Sequence, residues 1–215
     1  MIYFIVSFAI AAFAFGFGAA KLFKKGKPLY LQILVCAAGC FAIEQMSLFV
    51  NIWCNIQENV SINMLGVFGC NLFLLSANLG AIDKIVTEGK TDKKIQLLSL
   101  IAPVVTGGLA VATFFVWKKY DMFFAVVGAA VLLPAVPASY YNLKHILLPI
   151  DSNGFLRATK PCNIFALVFY LLNGIVAALA VYGDLVLDGI LSVVMSVSVL
   201  LLVIFAVRGA KQWEI

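Results

Sequence analysis

Long apolar runs alternate with short polar connections along the whole of this chain, and seven such runs can be traced, over residues 2–22, 29–54, 64–86, 95–117, 122–147, 162–182 and 189–207. Each is close to the about 20 residues a helix needs to cross a bilayer core, and roughly twice as long as a barrel strand. Backbone groups in hydrocarbon have no water to pair with, so segments of this kind are helical. The pattern predicts an all-α fold: a polytopic membrane protein built as one seven-transmembrane-helix bundle over residues 1–215.

Several features sit inside or between the runs. Lys24-Lys25-Gly26-Lys27-Pro28 stops the first run, and Lys118-Lys119-Tyr120-Asp121 makes a tight turn after the fourth. Pro134 and Pro137 interrupt the fifth run, and Pro103 with Gly107-Gly108 loosens the fourth. Proline removes a backbone donor and kinks a helix. Ala12, Gly16 and Ala20 recur every four positions, a spacing that permits close helix approach within a bundle. Lys27-Pro28 precedes the second run and Lys160-Pro161 the sixth, so runs one to three and five to seven can be read as parallel repeats about the fourth.

Charge gives the pattern a direction. Thirteen of the fifteen cationic residues fall into four clusters (21–27, 84–94, 144–160 and 208–211) on alternate connections, the two remaining lysines being Lys118 and Lys119. Cytoplasmic loops hold Lys and Arg, so the N-terminus is expected outside and the C-terminus in the cytoplasm, in a multi-pass protein of the plasma membrane. No basic residue precedes the first run, which is therefore expected to stay as a helix rather than be cleaved as a signal peptide. Tyr3, Trp53, Trp117 and Tyr182 mark one interface, Tyr30 and Trp213 the other. With 12% charged residues the chain cannot coat itself for water, and lipid is its first partner. The net charge of +5 belongs to loops beside apolar spans and speaks for anionic headgroups rather than nucleic acid. Asn59-Val60-Ser61 matches a glycosylation pattern on the outer side.

Candidate chemistry centres on Glu44, the one acidic residue deep inside a run. A charge at that depth costs about 2.5–3.5 kcal/mol on insertion scales, so such residues turn toward the bundle interior. Cys36, Cys40, Glu44, Ser47 and Asn51 follow at steps of four, four, three and four and occupy an arc of roughly 80° on a helix, leaving Leu34, Phe41, Leu48 and Phe49 for lipid or packing. Glu44 is then either a coupling or ligand-binding group, protonated in one state and ionised or paired in another, or a structural clasp between helices. Asn71 and Asn78 share one helix face, Asn163, Tyr170 and Asn173 another, and Ser192 and Ser196 stack on a third. These residues can line a polar hollow with Glu44 or make ordinary interhelical hydrogen bonds. Asp184 and Asp188, four apart, read as a solvated turn or a weak cation site.

Enzyme chemistry is not expected. One histidine, His145, is expected at the inner interface, and no glycine-rich phosphate loop, GxSxG or HExxH occurs. Five cysteines without a CxxC pair indicate neither disulfides nor zinc, and no catalytic residue, metal or cofactor is assigned. Cys36, Cys40, Cys70 and Cys162 read as packing residues and Cys54 as an exposed thiol. A retinal pigment is excluded because residues 189–207 hold no lysine, and the layout departs from that of SWEET sugar carriers in lacking proline in the first run. The expectation is a small-solute or ion/proton-coupled carrier with a midplane site around Glu44, Cys40, Ser47, Asn51, Asn71, Asn78, Tyr170 and Asn173. The alternative is a seven-helix sensor or accessory subunit acting through a membrane-protein partner or a homo-oligomer.

Overall fold

A computed structural model describes residues 1–22, 28–55, 62–82, 92–149 and 154–213, with side chains for all of these except 62, 80–82, 154–158 and 211–213. Every element among the described residues is helical. In chain order they are α1 (Ile2–Leu22), α2 (Leu29–Cys54), α3 (Ile62–Ser76) running on into a π-helical turn (Ala77–Ile82), α4 (Lys93–Ser99), α5 (Ile101–Trp117), α6 (Met122–Leu132), α7 (Ala135–Leu147), α8 (Gly154–Leu179) ending in a 3-10 turn (Ala180–Tyr182), and α9 (Leu185–Trp213). Among the described residues, six stretches are long and apolar enough to cross a membrane: Ile2–Leu22, Leu29–Cys54, Lys93–Trp117, Met122–Leu147, Thr159–Tyr182 and Leu185–Ala210. The third run is the exception. Its apolar helix, Asn63–Leu79, is shorter, and residues 83–91, with the expected end at Val86, lie outside the described residues.

Short polar side chains set the helix starts. Asp92 accepts from the Lys94 amide, Asp121 from those of Phe123 and Phe124, and Asp184 from those of Val186 and Leu187. Each satisfies amides that a first helical turn leaves unpaired. Asp184 is thus the cap of α9, in an exposed turn.

Proline sets the breaks. The fourth run divides at Leu100, three residues before Pro103, and the fifth at Leu133–Pro134. Pro137 lies in the first turn of α7, where a missing N–H costs little. The Thr106 and Ser139 hydroxyls, 3.0 Å apart, tie the two divided runs together just past their breaks. Pro161, expected just ahead of the sixth helix, lies inside α8, which begins at Gly154 rather than Cys162. The likeness between Lys27-Pro28 and Lys160-Pro161 therefore does not extend to position, since Pro28 is the N-cap of α2.

Neighbours around the bundle follow the order α1, α2, α3, then α6–α7, α4–α5, α8 and α9, which returns to α1. α9 also touches α2, and α8 touches both α5 and α7. The interior is lined by Ala11, Ala14, Leu34, Phe41, Phe169 and Val203, with the Phe41 and Phe169 rings edge-on at 5.4 Å between α2 and α8. The perimeter is apolar, as lipid contact demands, with Phe13, Leu65, Val104 and Phe115 exposed. Tyr30 is not an interfacial anchor: it is buried, and its hydroxyl donates to the Ala206 carbonyl at 3.2 Å.

Small residues act where backbones meet, but not where the four-residue stripe of α1 suggests. Gly16 and Ala20 are exposed, and a Cβ on Gly16 would have nothing within 4 Å. Gly18 of the same helix is tightly packed, since a Cβ there would stand 2.7 Å from the Val35 side chain, and the close approach to a backbone lies between α2 and α3, where a Cβ on Gly66 would stand 2.7 Å from Glu44 Cβ and 2.9 Å from the Cys40 carbonyl oxygen. Gly66→Ala is therefore expected to destabilise the bundle by about 1–3 kcal/mol, while Gly16→Ala leaves it unchanged. Reversible denaturant unfolding in mixed micelles checks this, and equal stability of the two variants would refute the close α2–α3 contact.

Candidate functional site

Glu44 lies in the second half of α2, on the side pressed against α3, and its side chain is 5% exposed. The neighbouring Gln45, on the adjoining face, is fully enclosed and donates from Nε2 to Glu44 Oε1 at 3.3 Å. From Gln45 the polar contacts continue across the bundle. Ser7 Oγ of α1 lies 2.5 Å from Gln45 Oε1, 2.9 Å from the Ser192 carbonyl oxygen and 2.7 Å from Ser196 Oγ. Ser7 has one hydroxyl proton to give to the two carbonyl oxygens, and Ser196 can donate to Ser7 in turn. One carboxylate oxygen of Glu44 is thereby tied through α2 to α1 and α9.

The other oxygen is not. Glu44 Oε2 is buried and has no hydrogen-bond partner among the described residues. Beside it is a half-enclosed cavity of about 200 Å³ whose polar lining consists of Glu44, Asn63, Trp117, Asn173, Asp188 and Ser192. All seven helical runs contribute to its wall, through Phe4 of α1 and Val131 of α6 among others, and every contribution comes from the end of the bundle where α1 begins. One water takes up about 30 Å³ of liquid, so the space suits a solute of several heavy atoms. Asn173 Nδ2, on α8, is also buried without a partner among the described residues. The Trp117 indole donates to the Ala177 carbonyl at 2.8 Å, which holds the ring as a wall of the cavity rather than as a free interfacial anchor.

The expected site residues divide into three groups. Glu44, Asn173 and Ser192 meet at the cavity. Asn71 lies one layer deeper and donates to the Val131 carbonyl at 3.0 Å, three residues before the Pro134 break, so it braces the interrupted helix. Asn78 bonds the Leu74 carbonyl of its own helix at 3.1 Å, and Cys40, Ser47 and Asn51 are not among the cavity residues. Cys40 instead packs against Gly69, and Cys36, at the foot of the expected stripe, is exposed on the perimeter. Leu34 and Phe41, left for lipid or packing, are core residues.

Deeper in the bundle, Tyr170 of α8 and Asn142 of α7 form a second buried polar layer, with the Tyr170 hydroxyl facing Asn142 and the Cys70 thiol nearby, and Asn163 is buried two turns further along α8. His145, expected among lipid headgroups, is wholly enclosed beside the Tyr141 ring, and Lys144 is buried over the same ring. No cluster of three metal-ligating side chains occurs among the described residues. Gln45 and Ser7 are the residues that reading the sequence missed, and Asp188, read there as part of a turn or weak cation site, joins Glu44 at the cavity. A single serine in an apolar run carries no periodicity, and Gln45 falls outside the arc built on Glu44.

Comparison with protein-family models, curated proteins and solved structures finds no match for this chain. The local geometry makes its own prediction. In a double-mutant cycle, Ser7→Ala and Gln45→Leu should show a coupling of about 0.6 kcal/mol, and no more than roughly 1.7. Strictly additive losses in unfolding free energy would mean that the bond does not form.

Proposed function

We propose that the protein is a small-solute carrier coupled to protons, in which Glu44 is the group that changes partners. The observation that carries this reading is the pairing of a buried, half-satisfied carboxyl with a half-enclosed cavity in the half of the bundle where α1 begins. A carboxyl in lipid held by one glutamine can alternate between a proton and a polar cargo, because either one satisfies its unpaired oxygen. The titratable groups beside it are the Cys40 thiol on its own helix and the Cys70 thiol of α3, with Asp188 on the far wall.

The bundle order supports the carrier reading. α2 packs between α1 and α3, α8 packs against α7 and α9 with α5 also beside it, and α1 meets α9 as α3 meets α6–α7, an arrangement suited to two halves rocking about a central site. The breaks at Leu100 and at Leu133–Pro134, the second directly after the cavity residues Val131 and Leu132, supply hinges. We read α3 with its π turn as a seventh crossing, since residues 62–82 extend for about 30 Å. That is roughly the thickness of the hydrocarbon core. Seven crossings put the termini on opposite sides, and the cation clusters favour the N-terminus outside, with the cavity facing outward in this conformation.

Purified protein in liposomes with a trapped pH-sensitive dye tests the proposal. Under an imposed membrane potential the wild type is expected to move protons faster than empty vesicles, and Glu44→Gln is expected to lose that flux. Wild-type flux no greater than that of empty vesicles, or flux untouched by Glu44→Gln, would overturn it.

A further inference from the structure

The cavity beside Glu44 carries two carboxylates, Glu44 from α2 and Asp188 from the first turn of α9, and none of the described residues that line it is lysine, arginine or histidine. A pocket of this size with an excess of negative groups selects against anions before any contact is made, because like charges across a low-dielectric gap repel strongly. The rest of the wall is chiefly apolar and aromatic, with Phe4 and the fixed Trp117 indole among its residues. Aromatic faces attract cations that are weakly hydrated, organic ammonium ions above all. A bare metal ion would want several converging oxygen ligands, and the two carboxylates are not part of any three-residue metal-ligating cluster among the described residues.

Two buried groups in the wall define what else the occupant has to offer. Glu44 Oε2 and Asn173 Nδ2 are each at least nine-tenths enclosed, and neither has a partner among the described residues. The first is an acceptor that calls for a donor, and the second, an amide nitrogen, is a donor that calls for an acceptor. A buried polar group left unpaired costs about 1–3 kcal/mol, so a solute that satisfies both gains on both sides. We infer that the cavity binds a small organic ammonium ion that also bears one hydrogen-bond acceptor, such as an amino alcohol. Its ammonium group sits between Glu44 and Asp188, and its oxygen takes the Asn173 amide. This rests on the carrier reading for its physiological sense, since it names the substrate class of that same site, but it is a statement about equilibrium binding and is tested as one.

The test uses the intact protein in detergent and tritiated ethanolamine, measured at equilibrium by scintillation proximity. Ethylene glycol and glycolate, the neutral and anionic counterparts of nearly the same size, and sodium serve as competitors. Saturable binding displaced by unlabelled ethanolamine but not by ethylene glycol, glycolate or sodium is the expected result. The affinity should fall about tenfold or more in Glu44→Gln and in Asp188→Asn, as expected when one partner of a buried charge pair is removed. Absence of saturable binding to the wild type, equal displacement by ethylene glycol or by sodium, or unchanged affinity in both carboxylate variants would each overturn the inference. The competition series needs no variant, so a misfolded mutant does not remove the test. Glu44-dependent proton flux without ethanolamine binding would defeat this inference and leave the carrier reading intact. Ethanolamine binding without flux of any kind would do the reverse.

Discussion

A carboxyl group in the middle of a bilayer has to find company, and much of this bundle can be understood as supplying it. The insertion cost of Glu44, about 2.5–3.5 kcal/mol, is comparable to several interhelical hydrogen bonds of the size measured in membranes, about 0.6 kcal/mol each. One bond from Gln45 does not offset it. The relay through Ser7 to Ser192 and Ser196 spreads the polar contact over α1, α2 and α9, so three helices are fixed relative to one another by the groups around a single side chain. On the opposite flank, Gly66 and Gly69 let α3 close to van der Waals distance of Cys40 and Glu44, which shields the carboxyl from lipid without giving it a further donor.

That leaves an asymmetry within the carboxyl. Buried polar groups in folded proteins generally have a hydrogen-bond partner. Here one oxygen is committed to the scaffold and the other is buried without a partner among the described residues, in the wall of a cavity with Asn173, Asp188 and Trp117. Asn71 is half-satisfied too, with Oδ1 buried and unpartnered among the described residues, but it is not among the cavity residues. Its amide braces the Val131 carbonyl beside the Pro134 break, a structural duty that a sequence alone does not distinguish from a binding one.

Hydrophobicity told most of the fold because in lipid it dictates both where helices form and how long they are. The bounds of α1 and α2 follow the apolar runs, and the breaks at Leu100 and Leu133–Pro134 follow the prolines. Interior polarity was legible only by residue type. Periodicity places Cys36, Cys40, Glu44, Ser47 and Asn51 on one face of α2, yet it does not say which neighbour that face meets, and its foot at Cys36 turns outward while Glu44 turns in. Gln45 and Ser7 were hidden because each is the only member of its stripe. His145 was misplaced because a histidine near a helix end resembles a headgroup ligand until the surrounding helices are seen to enclose it. The N-terminal stripe of small residues failed for a related reason: in an apolar helix small side chains suit lipid as well as a neighbour, and only the tertiary contacts decide.

Aqueous access to Glu44 is the claim on which the functional account turns, and thiol accessibility measures it directly. In a cysteine-free background, Glu44→Cys and Leu48→Cys, both on the cavity wall, should react with a membrane-impermeant thiosulfonate added to one side of intact vesicles, whereas Ile43→Cys, on the exposed apolar perimeter, should not. A thiol at position 44 that is inert from both sides, in a protein that is folded and inserted, would contradict the account.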